Sequence, residues 1–334
     1  MSGENGLPHE EYLPGFDVNI WLDAAQRPRE YAGLDWVQAK SLLHPVLELA
    51  QPTDNDIVVD VGTGTGAVLS YLAPYAKAGI GIDISRPMLS QIDQSAGNVL
   101  IVNADARDAI PMPDEVADVV TTRMMLHDVQ KPESAIAEAW RLVKPGGRLI
   151  ASEYVVDLAS SDAIARTDAF EAGTTSSSIM SKDHFQAPSN SLVQLHRDLF
   201  TLKHEPERYL WTGSEFEELF QATCNEHASI ENYFSVTPFN SVANWLGKSG
   251  FELSVKQNGL MLCMAAPDEL KQEAGIVITQ SGKPILQTEH PELMARYQDA
   301  DSETRETMDI DAKIHRVFAN VLVTKTTHDD QETA

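Results

Sequence analysis

The segment Asp60-Val61-Gly62-Thr63-Gly64-Thr65-Gly66 lies between an apolar, β-branched run, IVVDV (57–61), and a stretch with helical spacing, AVLSYLAPYAK (67–77). Few local sequences constrain a fold more tightly. Glycines let the backbone turn sharply and let a ligand approach with no Cβ in the way. The helix that follows offers unpaired N–H groups and the positive end of its dipole. A strand, a glycine loop and a helix in that order open a βαβ unit. In an open α/β sheet, ligands bind outside the strand C-termini at such a crevice.

The chain on either side keeps the same rhythm. GIGID (79–83) reads as a strand, PMLSQIDQSAG (87–97) as a helix, VLIVN (99–103) and ADVVTTRM (117–124) as strands. ESAIAEAWRLV (133–143) reads as a helix and RLIASEYVV (148–156) as a strand. Continuous apolar strands are those buried on both faces. Strands alternating with helices imply right-handed crossovers and a parallel sheet. Upstream, LDWVQAKSLLHPVLELA (34–50) is helical, and Pro45 is expected to bend or split it. After residue 157 the alternation lapses. A helix–strand pair is expected over 241–255 and a strand over 315–325. The fold class is α/β, a doubly wound and mostly parallel sheet with helical inserts.

The expected organisation is an N-terminal helical lid (1–50), a core (51–157), a cap or acceptor insert (158–240) and the remainder of the core (241–325). The remainder carries a second insert (258–310), and a disordered tail (326–334) follows. Tyr12, Phe16, Trp21, Tyr31 and Trp36 make the first segment aromatic-rich; aromatic faces attract cations, or simply dock a helix on the sheet. The cap holds Tyr209, Trp211, Tyr233 and Phe234.

Charge narrows the partners. Lys and Arg number 25 against 50 Asp and Glu, for a net charge of −25. Acidity spread along the chain disfavours nucleic acid and anionic membrane, both of which need basic surface. Hydrophobic residues at 43% exclude wholesale disorder. No apolar run reaches the about 18 residues of a spanning helix. Cys224 and Cys263 are expected as buried thiols of a cytoplasmic protein. His184, His196 and His204 lack metal-ligand spacing, so no metal is expected. The 258–310 insert is compatible with a homodimer contact.

Two ligands compete for the glycine loop. Gly62-x-Gly64-x-x-Ala67 fits a dinucleotide fingerprint, with Asp83 on a ribose hydroxyl. Three further segments favour the other ligand. VVDVGTGTGAV (58–68), GIDIS (81–85), NADARDAIPMPDEVADVV (103–120) and RLVKPGGRLIASE (141–153) together resemble, in order and spacing, the motifs of class I S-adenosylmethionine-dependent methyltransferases. The resemblance covers residues 50–157 well and the later segments loosely, and it implies a seven-stranded Rossmann-like sheet. It further implies that the backbone of Gly62, Thr63, Gly64 and Gly66 wraps the methionine portion of S-adenosylmethionine. Asp60 would contact the amino group, and Asp83 would accept both ribose hydroxyls. Ile84 and Met88 would flank the adenine, Asp105 and the Ala106 N–H would read its edge, and Arg123 and Met124 would lie beside the methionine moiety. Asp105 also reads as a helix cap, and Met88 as core.

The acceptor half is less specified. His127 and Asp128 follow strand four, and Glu153 and Tyr154 end strand five, all beside the expected crevice. His127 has the titration range of a general base, or is a packing histidine. Glu153 suits a cationic or amino-bearing acceptor. One of Glu153 and Tyr154 must face away, because strand side chains alternate. The place after strand four reads Thr121-Thr-Arg-Met-Met125, unlike the Asn/Asp-Pro-Pro-aromatic run of nucleobase amine methyltransferases. A small-molecule N-, S- or O-nucleophile, such as an amino acid or a thioether like methionine, is the expected acceptor. A nicotinamide oxidoreductase and a catalytically silent S-adenosylmethionine-binding regulator are the competing classes.

Overall fold

The computed structural model describes residues 28–32, 37–155, 157–187, 211–224, 228–239, 276–278, 284–286 and 314–327. Its strands are β1 (Ile57–Val61), β2 (Ala78–Asp83), β3 (Val99–Asn103), β4 (Ala117–Arg123), β5 (Val143–Val155), β6 (Leu158–Ala159), β7 (Phe185–Gln186), β8 (Ala228–Phe239), β9 (Ile276–Ile278), β10 (Pro284–Leu286) and β11 (Ile314–Lys325). Its α-helices are α1 (Pro28–Ala32), α2 (Lys40–Ala50), α3 (Ala67–Leu72), α4 (Arg86–Leu89), α5 (Pro132–Leu142), α6 (Ser161–Glu171) and α7 (Gly213–Thr223).

Seven strands form one sheet in the order β3-β2-β1-β4-β5-β11-β8. The first five run parallel. β11 is antiparallel to both β5 and β8. The order reverses at β1, so the crevice between β1 and β4 is the topological switch point, where open α/β sheets bind ligands. The strand expected over 315–325 is β11; it lies one place inward from the edge, and β8 takes that edge among the described strands. β8 occupies the last dozen residues of the stretch read as a cap.

Helices cover both faces. On one, Leu43, Val46 and Leu49 of α2 pack with Val68 and Leu72 of α3 against Val58, Val119 and Ile150 of the sheet. On the other, Ile136 and Trp140 of α5 and Phe216 and Phe220 of α7 pack on Val120, Leu149 and Val321. Each such side chain, once buried, contributes about 1.5–3 kcal/mol, which is why the apolar stripes decide the layering.

Local chemistry sets where elements stop. α2 runs unbroken through Pro45, whose ring is buried against the core, so the expected split does not occur. Gln51 ends the helix in the left-handed region at φ 40°. The Arg148 guanidinium from β5 donates to the freed carbonyls of Ala50 and Gln51. At the other end of α2, the Ser41 N–H donates to the Glu171 carboxylate of α6 at 3.1 Å. The helix expected over 87–97 shortens to α4. Asp93 accepts from the Ser95 N–H at 2.8 Å, a side-chain turn that competes with the helix ladder.

The pair over 241–255 and most of the 258–310 insert lie outside the described residues, as do Tyr12, Phe16, Trp21, Trp36, His196, His204, Tyr209 and Cys263. Cys224 is a buried free thiol, its pKa pushed by burial up to about 12. Among the described residues no helix is long and apolar enough to cross a membrane, and no cluster of His, Cys, Asp and Glu has metal-binding geometry.

Candidate functional site

The C-terminal ends of β1, β2 and β4 open on a cleft with about 1090 Å³ of free space, solvent included. Its floor is the glycine loop. Gly62 and Gly64 have φ of 73° and 55°, in the left-handed region, and the loop is pinned by Gly62 and Thr63 N–H groups donating to the Ile82 carbonyl. A Cβ on Gly64 would point into open cleft, with Met88 Cε its nearest neighbour at 3.9 Å. A Cβ on Gly62 would stand 2.4 Å from Met125 Cγ. Gly62→Ala is therefore expected to displace the Met125 side chain and lower ligand affinity at least tenfold, read by calorimetry with S-adenosylhomocysteine. Gly66 turns the chain into α3 at φ 82° and faces Ile92, not the cleft.

The acidic residues read from the sequence converge here. Asp83 ends β2 with each carboxylate oxygen already accepting one backbone N–H at 2.8 Å, Gly64 on one and Ser85 on the other. The Ile84 N–H also acts on it; since a carboxylate has about four lone-pair sites, acceptor capacity remains for a ribose hydroxyl. Burial raises its pKa to about 6 against the lowering effect of those N–H groups. Asp60 is buried, accepts from Thr121 Oγ1 at 2.7 Å, and is also raised to about 6 by burial, with the Thr121 hydroxyl opposing. Asp105 is gripped by Arg107, whose Nε lies 3.0 Å from Oδ1 and whose Nη2 lies 2.5 Å from Oδ2. Burial alone would raise the Asp105 pKa, but the Arg107 hydrogen bonds hold it below the usual carboxylate range.

Ile84, Met88, Ala106, Arg123 and Met124 all line the cleft. Met88 is also core, at 3% exposure, so its two readings are compatible. Met124 leaves β4 at φ 50°, and its N–H donates to the Ser152 carbonyl at 2.9 Å. A left-handed methionine is a strained backbone, of the kind that clusters at ligand sites. Arg107, Met125, Val37 and Gln130 also line the cleft and were not singled out from the sequence. Only the place of Met125, directly after Met124, hinted at its role.

The acceptor candidates divide. Asp128 lines the cleft, whereas His127, Glu153 and Tyr154 do not. His127 Nδ1 is 2.6 Å from Glu153 Oε2, and its Nε2 is 3.2 Å from Asp128 Oδ2. Burial pushes the imidazole pKa down, but the Asp128 and Glu153 charges outweigh it and hold the ring at about 10. Glu153 is 1% exposed. Tyr154 is on the other face of β5, edge-on to Phe318 with ring centres 6.3 Å apart.

The cradle fits S-adenosylmethionine: a Cβ-free approach at Gly64, a carboxylate with acceptor capacity left at Asp83, and apolar walls at Ile84 and Met88. Comparisons with known proteins agree. Residues 59–151 match the family described as "Methyltransferase domain". The chain is 36% identical over 100 residues to a demethylmenaquinone methyltransferase of Renibacterium salmoninarum, covering 29% of this chain and 40% of that one. It is 35% identical over 117 residues to a ubiquinone/menaquinone biosynthesis C-methyltransferase of Stutzerimonas stutzeri, covering 32% and 45%. The chain thus spans less than half the length of these curated relatives. The crystal structure of YcgJ from Bacillus subtilis superposes with a TM-score of 0.54 at 18% identity, covering 85% of this chain and 98% of that one, a likeness of fold. The family match decides between the ligands that the glycine loop left open, and the cofactor is S-adenosylmethionine.

Proposed function

We propose that this chain, whose core is a class I S-adenosylmethionine-dependent methyltransferase domain, transfers a methyl group to a small-molecule acceptor. The observation that carries this reading is the convergence of Gly64, Asp83 and Asp105, from the ends of successive strands, on one cleft. The cofactor supplies a methyl carbon already activated by sulfonium, so the protein's main task is orientation. Holding two reactants in line is worth on the order of 7–11 kcal/mol. Asp83 fixes the ribose, Asp60 and Arg123 lie where the amino acid portion ends, and Met88 and Ile84 flank the base.

The acceptor side of the cleft is mostly apolar, with Met124, Met125 and Val129 on its wall and Asp128 as its acidic group. Such a wall suits a flat, weakly polar ring carrying one acidic proton. Of the two relatives named above, one is by name a demethylmenaquinone methyltransferase and the other a ubiquinone/menaquinone biosynthesis C-methyltransferase, so a reduced quinone joins the N-, S- and O-nucleophiles as an acceptor class. The acidic surface weighs against nucleic acid.

The test is transfer of labelled methyl from S-adenosylmethionine to a panel comprising reduced demethylmenaquinone, a simple phenol, a thiol and a primary amine. Calorimetry with S-adenosylhomocysteine runs beside it. Binding with transfer to one class is expected. Binding without transfer to any of them favours a silent regulator, and no binding overturns the reading altogether.

A further inference from the structure

The sequence points to His127 as the general base, but the geometry gives its ring no free lone pair. Glu153 Oε2 faces Nδ1 at 2.6 Å and Asp128 Oδ2 faces Nε2 at 3.2 Å. Ionised carboxylates only accept hydrogen bonds. Both ring nitrogens must therefore donate, which requires the doubly protonated ring. A neutral imidazole would turn a lone pair toward one carboxylate. Asp128 from the same turn and Glu153 from β5 are the charged groups that act on this ring among the described residues, and they keep it protonated against burial. The ring thus lies between two carboxylates, one at each nitrogen. Of the three residues, Asp128 alone reaches the cleft wall.

We propose that His127 is a fixed imidazolium that positions Asp128, and that the Asp128 carboxylate takes the proton of a protic acceptor. The inference rests on the methyl-transfer reading above. It narrows the acceptor to one that must lose a proton: an O–H, an N–H, or the ring C–H of a phenol-like carbon nucleophile. As the acceptor's electron pair forms the new bond to the methyl carbon, the carbon–sulfur pair stays on sulfur. The acceptor's proton passes to Asp128, which becomes a neutral acid and then returns the proton to water. The imidazolium is unchanged throughout. Its N–H fixes the carboxylate's direction, so His127 is a positioning residue.

Two measurements decide this. The first is the ¹⁵N spectrum of histidine-labelled wild-type protein between pH 6 and 9, with Glu153→Gln as the assignment control. Imidazolium shifts at both His127 nitrogens through pH 8 are expected, and a ring already neutral at pH 7.5 overturns the proposal. The second is turnover against pH, with the methyl acceptor that the panel identifies, for Asp128→Asn, His127→Asn and His127→Gln. Asp128→Asn should lose at least a hundredfold in kcat with KM changed less than threefold. Removing the imidazolium raises the Asp128 pKa, so both His127 variants should move the acid limb of the profile to higher pH by about one unit. A packing role alone would leave that limb in place. Turnover in Asp128→Asn within threefold of wild type overturns the assignment. If the wild type binds S-adenosylhomocysteine and methylates nothing in the panel, the transfer reading fails, while the ¹⁵N spectrum still decides the charge of His127.

Discussion

Asp83→Ala is expected to weaken S-adenosylhomocysteine binding by at least a hundredfold. The carboxylate does two jobs at once. It accepts the Gly64 and Ser85 N–H groups at 2.8 Å each, which sets the shape of the glycine loop against the end of β2. In the proposed reading, its remaining acceptor capacity receives the ribose hydroxyls. Hydrogen bonds to a charged group are worth about 1.5–3 kcal/mol each, and about 1.4 kcal/mol is tenfold in affinity, so losing the pair accounts for a hundredfold before any loosening of the loop. Asp83→Asn separates the two jobs. It keeps one acceptor oxygen and the side chain's bulk, and should fall between wild type and alanine. Equal affinity in all three proteins would remove Asp83 from the ribose site.

The parts of this fold that were legible in the sequence are those in which local pattern and tertiary role agree. IVVDV and HRVFANVLVTK are apolar runs because both faces of β1 and β11 are covered by neighbouring layers, and the strands fall at 57–61 and 314–325; VLIVN falls at 99–103 as β3, at the sheet's other edge, where Leu100 is 57% exposed. β8 was missed because ASIENYFSVTPF alternates and carries Pro238 one residue before its end, as suits an edge strand and not a central one. The gathering of the glycine loop and the strand-end acids at one cleft was legible for a similar reason. These residues lie within a few positions of glycines and strand ends, so spacing reports geometry. The acceptor half was not. His127 and Glu153 are 26 residues apart and meet only because β4 and β5 end side by side. Residue type suggested a base; two carboxylates at the ring nitrogens argue instead for a cation, and that depends on contacts no spacing encodes.

The stabilisation that S-adenosylhomocysteine confers is expected to grow steeply between pH 5 and pH 7.5. Asp60 and Asp83 are both raised by burial to about 6 in the ligand-free protein, although the Thr121 hydroxyl opposes this at Asp60 and the Ser85 and Gly64 N–H groups oppose it at Asp83. The folded values exceed the ordinary 3.8, so the folded state binds these protons more tightly than the unfolded chain does. The stability they contribute is fully present below about pH 4 and is lost as pH rises through about 6. Ligand reverses the preference. An amino group near Asp60 and a ribose diol on Asp83 both favour the carboxylate, so binding must expel any proton held there. Below pH 6 each group opposes binding by up to tenfold per unit. The measurement is thermal unfolding at pH 5, 6 and 7.5 with and without S-adenosylhomocysteine, compared as the ligand-induced increment in Tm. The increment is the informative quantity, because with a net charge of −25 the ligand-free protein also gains stability on acidification from reduced self-repulsion. An increment that is the same at pH 5 and pH 7.5 would show that neither carboxylate changes protonation on binding. Asp83→Asn should flatten the dependence by removing one of the two titrating groups, leaving the part due to Asp60.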